Sequence, residues 1–201
     1  MTRQLALPLQ PPPAPSLENF VPGANGELLA RLRELAAGRC AEAVIYLWGP
    51  PGSGRSHLLQ ASARAGVTLA DDVERLGDAA QAELFSAINR AREAGGTVLA
   101  AGAAPPAQLA LREDLRSRLG WGLVYEVKPL SDAEKALYLH AEAARRGLRL
   151  SDEVVWYLLT HVRRDMPSLG AILEHLDRAS LEQRRAVTLP LVREALRALE
   201  P

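Results

Sequence analysis

The stretch Val44-Ile45-Tyr46-Leu47-Trp48-Gly49-Pro50-Pro51-Gly52-Ser53-Gly54-Arg55-Ser56 decides the fold. Its first five residues form a short apolar run that stops at Gly49, the pattern of a strand buried in a parallel sheet. Gly49 to Ser56 then fits G-x-x-x-x-G-K-[ST] at every position except the lysine, which is Arg55 here. Glycines let backbone N–H groups converge on phosphate oxygens, and a helix starting at Arg55 adds the partial positive charge of its N-terminus. Ser56 offers a hydroxyl to Mg2+. Arg55 keeps the positive charge, but its planar fork is longer and less point-like than an ammonium. A glycine-rich turn is the competing reading; the strand before and the helix after favour a phosphate loop.

Working outward, residues 55–64 read as a helix stopped by Gly66, and Val67-Thr68-Leu69-Ala70 as a second strand ending in Asp71-Asp72. Carboxylates at a strand's C-terminal end can hold Mg2+ and polarise a water, so Asp71 and Asp72 join Ser56 as candidate metal ligands; a solvated strand end is the alternative. Residues 79–93 form an amphipathic helix with Leu84, Phe85 and Ile88 inward, and Thr97-Val98-Leu99-Ala100-Ala101 is a third strand. Strand and helix alternate, which argues for a parallel sheet covered by helices, an α/β fold. Upstream, Phe20-Val21-Pro22-Gly23-Ala24-Asn25 is turn chemistry, and Asn25 is placed to cap a helix over 26–37.

After Pro129 the pattern changes to helices alone. Ser131 and Glu134 make a capping box for a helix to about Arg146, Ser151 caps the next over 152–162, a third carries Leu169, Ile172, Leu173 and Leu176, and Thr188-Leu189-Pro190 starts a last one. At the other end, Pro11-Pro12-Pro13-Ala14-Pro15 predicts an extended tail over 1–15. The domains therefore read as a tail over 1–15, a nucleotide-binding domain over 16–128 and a helical domain over 129–201.

Composition excludes some functions. Lys+Arg and Asp+Glu are each 24, so the chain lacks the basic surplus of a duplex-binding domain. Aromatics at 4% leave no stacking platform for single strands. The single cysteine, Cys40, fits a reducing compartment, and neither a membrane span nor a signal peptide is expected, so the localisation reads as cytoplasmic.

Two further runs carry chemistry. The third strand leads into Ala100-Ala101-Gly102-Ala103-Ala104, which offers no polar side chain to a γ-phosphate and argues against hydrolysis in cis. Leu115-Arg116-Ser117-Arg118-Leu119-Gly120-Trp121-Gly122-Leu123 places an arginine just before a Gly-Trp-Gly turn. Such an arginine can be presented to another subunit to stabilise charge on a transferring phosphoryl group. Spacing alone does not choose between Arg116 and Arg118, and either can be a solvated charge.

The chain as a whole resembles a family. Phe20 to Asn25, the loop 49–56 with His57-Leu58-Leu59, Asp71-Asp72 and Ser117-Arg118-Leu119-Gly120-Trp121-Gly122-Leu123 occur in the order seen in the AAA+ domain of the bacterial replication initiator DnaA. It is more closely similar to the Hda family of regulatory inactivators of DnaA, through Arg55-Ser56, Pro129-Leu130-Ser131-Asp132 and His175-Leu176-Asp177-Arg178-Ala179-Ser180. With the chain ending at Pro201, a DnaA-type C-terminal DNA-binding domain is not expected.

The resemblance implies an AAA+ P-loop domain plus a C-terminal helical lid. ADP or ATP, with Mg2+, would be held by Gly49, Pro50, Pro51, Gly52, Ser53, Gly54, Arg55, Ser56, His57, Phe20 and Val21. It implies an arginine finger at Arg118, acting in trans on DnaA. It implies that Gln4-Leu5-Ala6-Leu7-Pro8-Leu9 is a peptide for the DNA polymerase sliding clamp, with the Gln4 amide and anchors at Leu5, Leu7, Pro8 and Leu9. DNA would then be reached only through the clamp; AAA+ domains often associate head to tail, and no residue here settles whether copies of this chain do.

Three departures stand against the family pattern. Only Gly66 separates the helix after the phosphate loop from the second strand, so an edge strand is expected to be missing. Ala103 replaces an acidic sensor residue, and Pro167 stands where the lid would give an arginine to the phosphates. With Arg55 these predict weak or lost nucleotide binding. The competing functions are a stand-alone ATPase or helicase-loader-like remodeller, and a clamp-binding protein without catalytic effect.

Overall fold

The computed structural model describes residues 14–162 and 165–197. The residues expected to bind the clamp, Gln4, Leu5, Leu7, Pro8 and Leu9, lie outside the described residues. The chain divides into two compact units, with the break between Pro129 and Leu130.

The first unit is built in the order α1 (Gly26–Ala36), β1 (Val44–Trp48), α2 (Arg55–Ala61), β2 (Val67–Ala70), α3 (Asp78–Ala94), β3 (Thr97–Gly102), α4 (Glu113–Leu119) and β4 (Leu123–Glu126). The four strands form one sheet in the order β2-β3-β1-β4, every pair parallel. Among the described residues β2 is the edge, and residues 62–66 between α2 and β2 hold no further strand. The expected loss of an edge strand is therefore present.

Strand alternation sorts the core onto two faces. Ile45, Leu47, Leu99 and Ala101 pack with Leu28, Leu29, Leu32 and Leu35 of α1 and with Leu58 and Leu59 of α2. Val44, Tyr46, Val98 and Ala100 pack with Leu84 and Ile88 of α3 and with Leu115 and Leu119 of α4. Helices on both faces bury β3 throughout and all of β1 but the half-buried Trp48, which is why both strands read as unbroken apolar runs.

Two local expectations are corrected. Asn25 makes no side-chain cap on α1. Its amide instead donates to the Lys128 carbonyl at 2.8 Å and accepts from the Lys128 N–H at 2.8 Å, fastening the start of α1 to the end of β4. A buried amide facing a free backbone pair satisfies more groups there than it would at the helix end. The helix after the phosphate loop stops at Ala61, short of the expected 64. Arg64 is used elsewhere: its guanidinium donates to the carbonyls of Leu35 and Ala36, both at 2.7 Å, closing the C-terminal end of α1. Neither α4 nor β4 was expected from the sequence.

The second unit holds α5 (Asp132–Arg145), α6 (Asp152–His161), α7 (Met166–Gln183) and α8 (Leu189–Arg197). Ser131 and Glu134 form the expected capping box on α5, and Ser151 accepts from the Val154 N–H at the start of α6. Leu139, Val155, Leu159, Leu169 and Leu173 make one core, and Val154, Leu158, Ile172, Leu176 and Leu191 another. Glu142 is buried in α5 between Arg145 at 2.5 Å and Arg146 at 2.9 Å. Burial works against its charge, but hydrogen bonds from the two guanidinium groups hold its carboxyl below the ordinary value of 4.5. Among the described residues no helix is long and apolar enough to cross a membrane.

Candidate functional sites at the two ends of one strand

The phosphate loop leaves the C-terminal end of β1. Gly54, just before α2, has φ +98°, and a Cβ there would lie 2.7 Å from Cε2 of Phe20. The Phe20 ring also lies 5.6 Å from the His57 ring, and the His57 Nε2 meets the Ser16 carbonyl at 2.9 Å. Phe20 and His57 thus bind the segment 16–20 against the loop. Val21 is half-buried, while Pro50, Pro51, Gly52 and Ser56 are exposed.

Two polar atoms of the loop are buried without a hydrogen-bond partner among the described residues, Oγ of Ser53 and Nη1 of Arg55. A buried unpaired donor costs about 1–3 kcal/mol, and a phosphate oxygen is an acceptor suited to a hydroxyl and to a guanidinium. The residues present therefore fit a phosphate group. Asp71 and Asp72 follow β2. Asp72 adopts φ +43°, and its carboxylate lies 3.6 Å from Arg75, while Asp71 accepts from the Asp72 N–H at 2.9 Å. Ser56, the third expected Mg2+ ligand, lies in the first turn of α2, and among the described residues no group of three or more His, Cys, Asp or Glu gathers to hold a metal by itself.

The alanine-rich end of β3 is wired by residues that sequence reasoning missed. The Tyr46 hydroxyl donates to the Ala104 carbonyl at 2.8 Å, and Glu74 accepts from the Ala103 N–H at 3.2 Å. Burial pushes the Tyr46 phenol well up, the Glu74 carboxylate adds to the rise, and Arg55 opposes it. Position 103 thus has a carboxylate beside its backbone, supplied by Glu74. Strand period marks Tyr46 as inward, but nothing local marks it as reaching a carbonyl 58 residues on.

The Arg118 site lies at the other end of β1. Gly122 is required by a close approach: a Cβ there would stand 1.9 Å from the carbonyl oxygen of Val44, the first residue of β1. Trp121 beside it is 51% exposed, so its ring covers solvent-facing surface rather than core. The Arg118 guanidinium lies 3.6 Å from the centre of the Trp121 ring and 5.3 Å from the Phe85 ring. Its Nε–H donates to Oδ1 of Asn89 at 3.1 Å. Arg92 lies 5.0 Å from the same indole. Arg118 is half-buried and held rather than freely projecting, whereas Arg116, equally half-buried, is tied through its backbone to Arg112 and Gly120. The five residues of β1 separate this site from the phosphate loop by about 13 Å of strand.

The comparisons with known proteins agree with this architecture. Residues 132–196 match the family described as the Hda lid domain. Among solved structures, domain III of the replication initiation protein DnaA from Thermotoga maritima superposes with a TM-score of 0.75 at 18% identity, over 94% of this chain and 99% of that one. AMPPCP-bound DnaA from Aquifex aeolicus gives 0.67 at 20% identity, over 79% of this chain and 63% of that one. The RuvB Holliday junction branch migration motor of Thermotoga maritima gives 0.69 at 16% identity, over 92% and 72%.

Proposed function

From the premise of an Hda/DnaA-like AAA+ protein, we propose that this chain restrains bacterial replication initiation as an adaptor. It docks on the DNA polymerase sliding clamp through Gln4, Leu5, Leu7, Pro8 and Leu9. It then stimulates ATP hydrolysis by DnaA in trans through Arg118, and it meets DNA only through the clamp. Its place is the cytoplasm.

One observation carries this reading. Arg118 sits at the end of β1 opposite the chain's own phosphate loop, where it cannot reach a nucleotide held there. An arginine so placed serves a site on another molecule. There its guanidinium, permanently charged and forked, stabilises the negative charge on the phosphoryl group being transferred. The chain's own nucleotide, ADP or ATP held weakly by Gly49 to Ser56 with Phe20, Val21 and His57 beside the loop, is a structural ligand in this scheme. When bound, its phosphates supply the negative charge that Ser53 and Arg55 lack. Ser56, Asp71 and Asp72 are the residues that would meet an accompanying Mg2+.

The test measures ATP hydrolysis by DnaA on clamp-loaded DNA with this protein and with its Arg118→Ala form. Acceleration that disappears with Arg118→Ala is the expected result. Equal acceleration by both removes Arg118 from the mechanism. No acceleration by either, with the clamp still bound, leaves a clamp-binding protein without effect on DnaA. A stand-alone ATPase is the second reading, favoured by the unpartnered atoms of Ser53 and Arg55. It requires ATP turnover by the purified chain that Asp72→Asn abolishes. The possibility of association between copies is read from sedimentation with and without ADP.

A further inference from the structure

The geometry points to Asn89 and Trp121 as positioning residues that preset the Arg118 guanidinium for its partner, an inference that rests on the trans reading of Arg118. An exposed arginine has several freely rotating bonds, and a finger that samples many rotamers pays the cost of ordering them at each encounter. Here that cost is met in advance. The Nε–H bond to Oδ1 of Asn89 at 3.1 Å fixes the direction of the guanidinium. The Trp121 ring at 3.6 Å fixes its plane, with Phe85 further off at 5.3 Å. Among the described residues no hydrogen bond engages either Nη, so the forked end is kept for an oxygen-rich group of the partner.

The hold on Arg118 has its own anchors. Asn89 and Phe85 belong to α3, and Arg118 to α4, so two helices and a turn converge on one side chain. The Trp121 N–H donates to the Arg118 carbonyl at 3.1 Å. The next residue, Gly122, lies against Val44 with no room for a Cβ, so the indole stands on backbone that cannot drift. Trp121 touches neither nucleotide nor partner in this scheme. Its exposed ring is kept because it holds the arginine.

The experiment uses the full chain on clamp-loaded DNA with DnaA. Trp121→Ala and Asn89→Ala are each expected to lower the maximal stimulated rate by about 3- to 30-fold while leaving the half-saturating concentration unchanged. Trp121→Phe, which keeps an aromatic face, is expected to retain most of the rate. In an Arg118→Ala background neither substitution has a further effect, because the three side chains act as one unit. Full rates with Trp121→Ala and Asn89→Ala, while Arg118→Ala is inactive, overturn the positioning role and leave the trans reading standing. A higher rate with either variant overturns it too, since the stack is then a resting hold on the arginine. Arg118→Ala without effect removes the trans reading and the positioning role together.

A second measurement needs no partner and keeps the geometry testable even where Trp121→Ala fails to fold. In a Trp48→Phe, Trp156→Phe background, Trp121 is the remaining tryptophan. Arg118→Ala and Asn89→Ala are each expected to raise quenching of its emission by acrylamide, because the guanidinium no longer covers the ring. Unchanged quenching in both overturns the hold of Asn89 and Trp121 on Arg118.

Discussion

The two ends of β1 each carry one arginine of functional interest, and the surroundings treat them in opposite ways. At the C-terminal end, Arg55 has a buried guanidinium nitrogen with no partner, beside a Ser53 hydroxyl in the same condition. At the N-terminal end, Arg118 is held by an asparagine and an aromatic ring. The first is a site that stays electrostatically incomplete until an anion arrives. The second is complete as folded, with only its outer nitrogens uncommitted. Unsatisfied buried groups fit a ligand within the chain, and the half-buried, held cation fits the trans role proposed for it.

The largest effect that bears on this contrast is expected from Gly122→Ala. A Cβ at 1.9 Å from the Val44 carbonyl oxygen forces the backbone apart, so unfolding in urea should show a loss of about 3 kcal/mol or more. A loss under about 1 kcal/mol would mean that this end of the strand yields, and the rigid half of the comparison would fail. Next in size is Arg55→Met. It should weaken ADP binding by about tenfold or more in a titration, yet leave the ligand-free protein as stable as before or more so, because it deletes an unpaired buried donor. Marked destabilisation without ligand would show that Arg55 has a structural partner after all.

Tyr46→Phe is expected to cost about 1 kcal/mol by leaving the Ala104 carbonyl without its donor. The same hydroxyl makes a pH prediction. Its folded value is raised above the ordinary 10.0, so its contribution is fully present below pH 10.0 and fades as pH rises beyond it. An alkaline melt of the Tyr46→Phe form that matches the parent above pH 10.0 in slope would remove that assignment.

The smallest effect lies in the helical domain. Glu142 is depressed below 4.5, so its contribution is present above that pH and is lost as pH falls through the lower folded value. Glu142→Gln should reduce stability near neutral pH by about 1 kcal/mol and flatten the acid dependence below pH 4.5. An unchanged acid limb would place that dependence on other carboxylates.

How much was legible in the sequence follows the range of the interactions. The phosphate loop, the capping box of Ser131 with Glu134 and the cap by Ser151 all use residues a few positions apart, and spacing alone reveals them. The missing edge strand was legible because too few residues separate α2 from β2 to hold one. Asn25 was misread as a cap, since its true partner, Lys128, is 103 residues away. The elements α4 and β4, with seven and four residues, are too short to establish a period, and unlike the equally short α2 and β2 they are not delimited by the phosphate loop or by Asp71-Asp72.

The sequence by itself determined the alternation of the first three strands with helices and the phosphate loop, because these depend on periodicity or a contiguous motif, and the resemblance of the run 117–123 singled out Arg118 as a candidate. Only the tertiary structure decided which groups are satisfied. The Nε of Arg118 meets Asn89 from 29 positions earlier in the chain, and the buried Nη1 of Arg55 meets no hydrogen-bond partner among the described residues. The physical reason is that satisfaction of a buried donor depends on what the folded chain brings within about 3 Å, and a linear order of residues does not contain that distance.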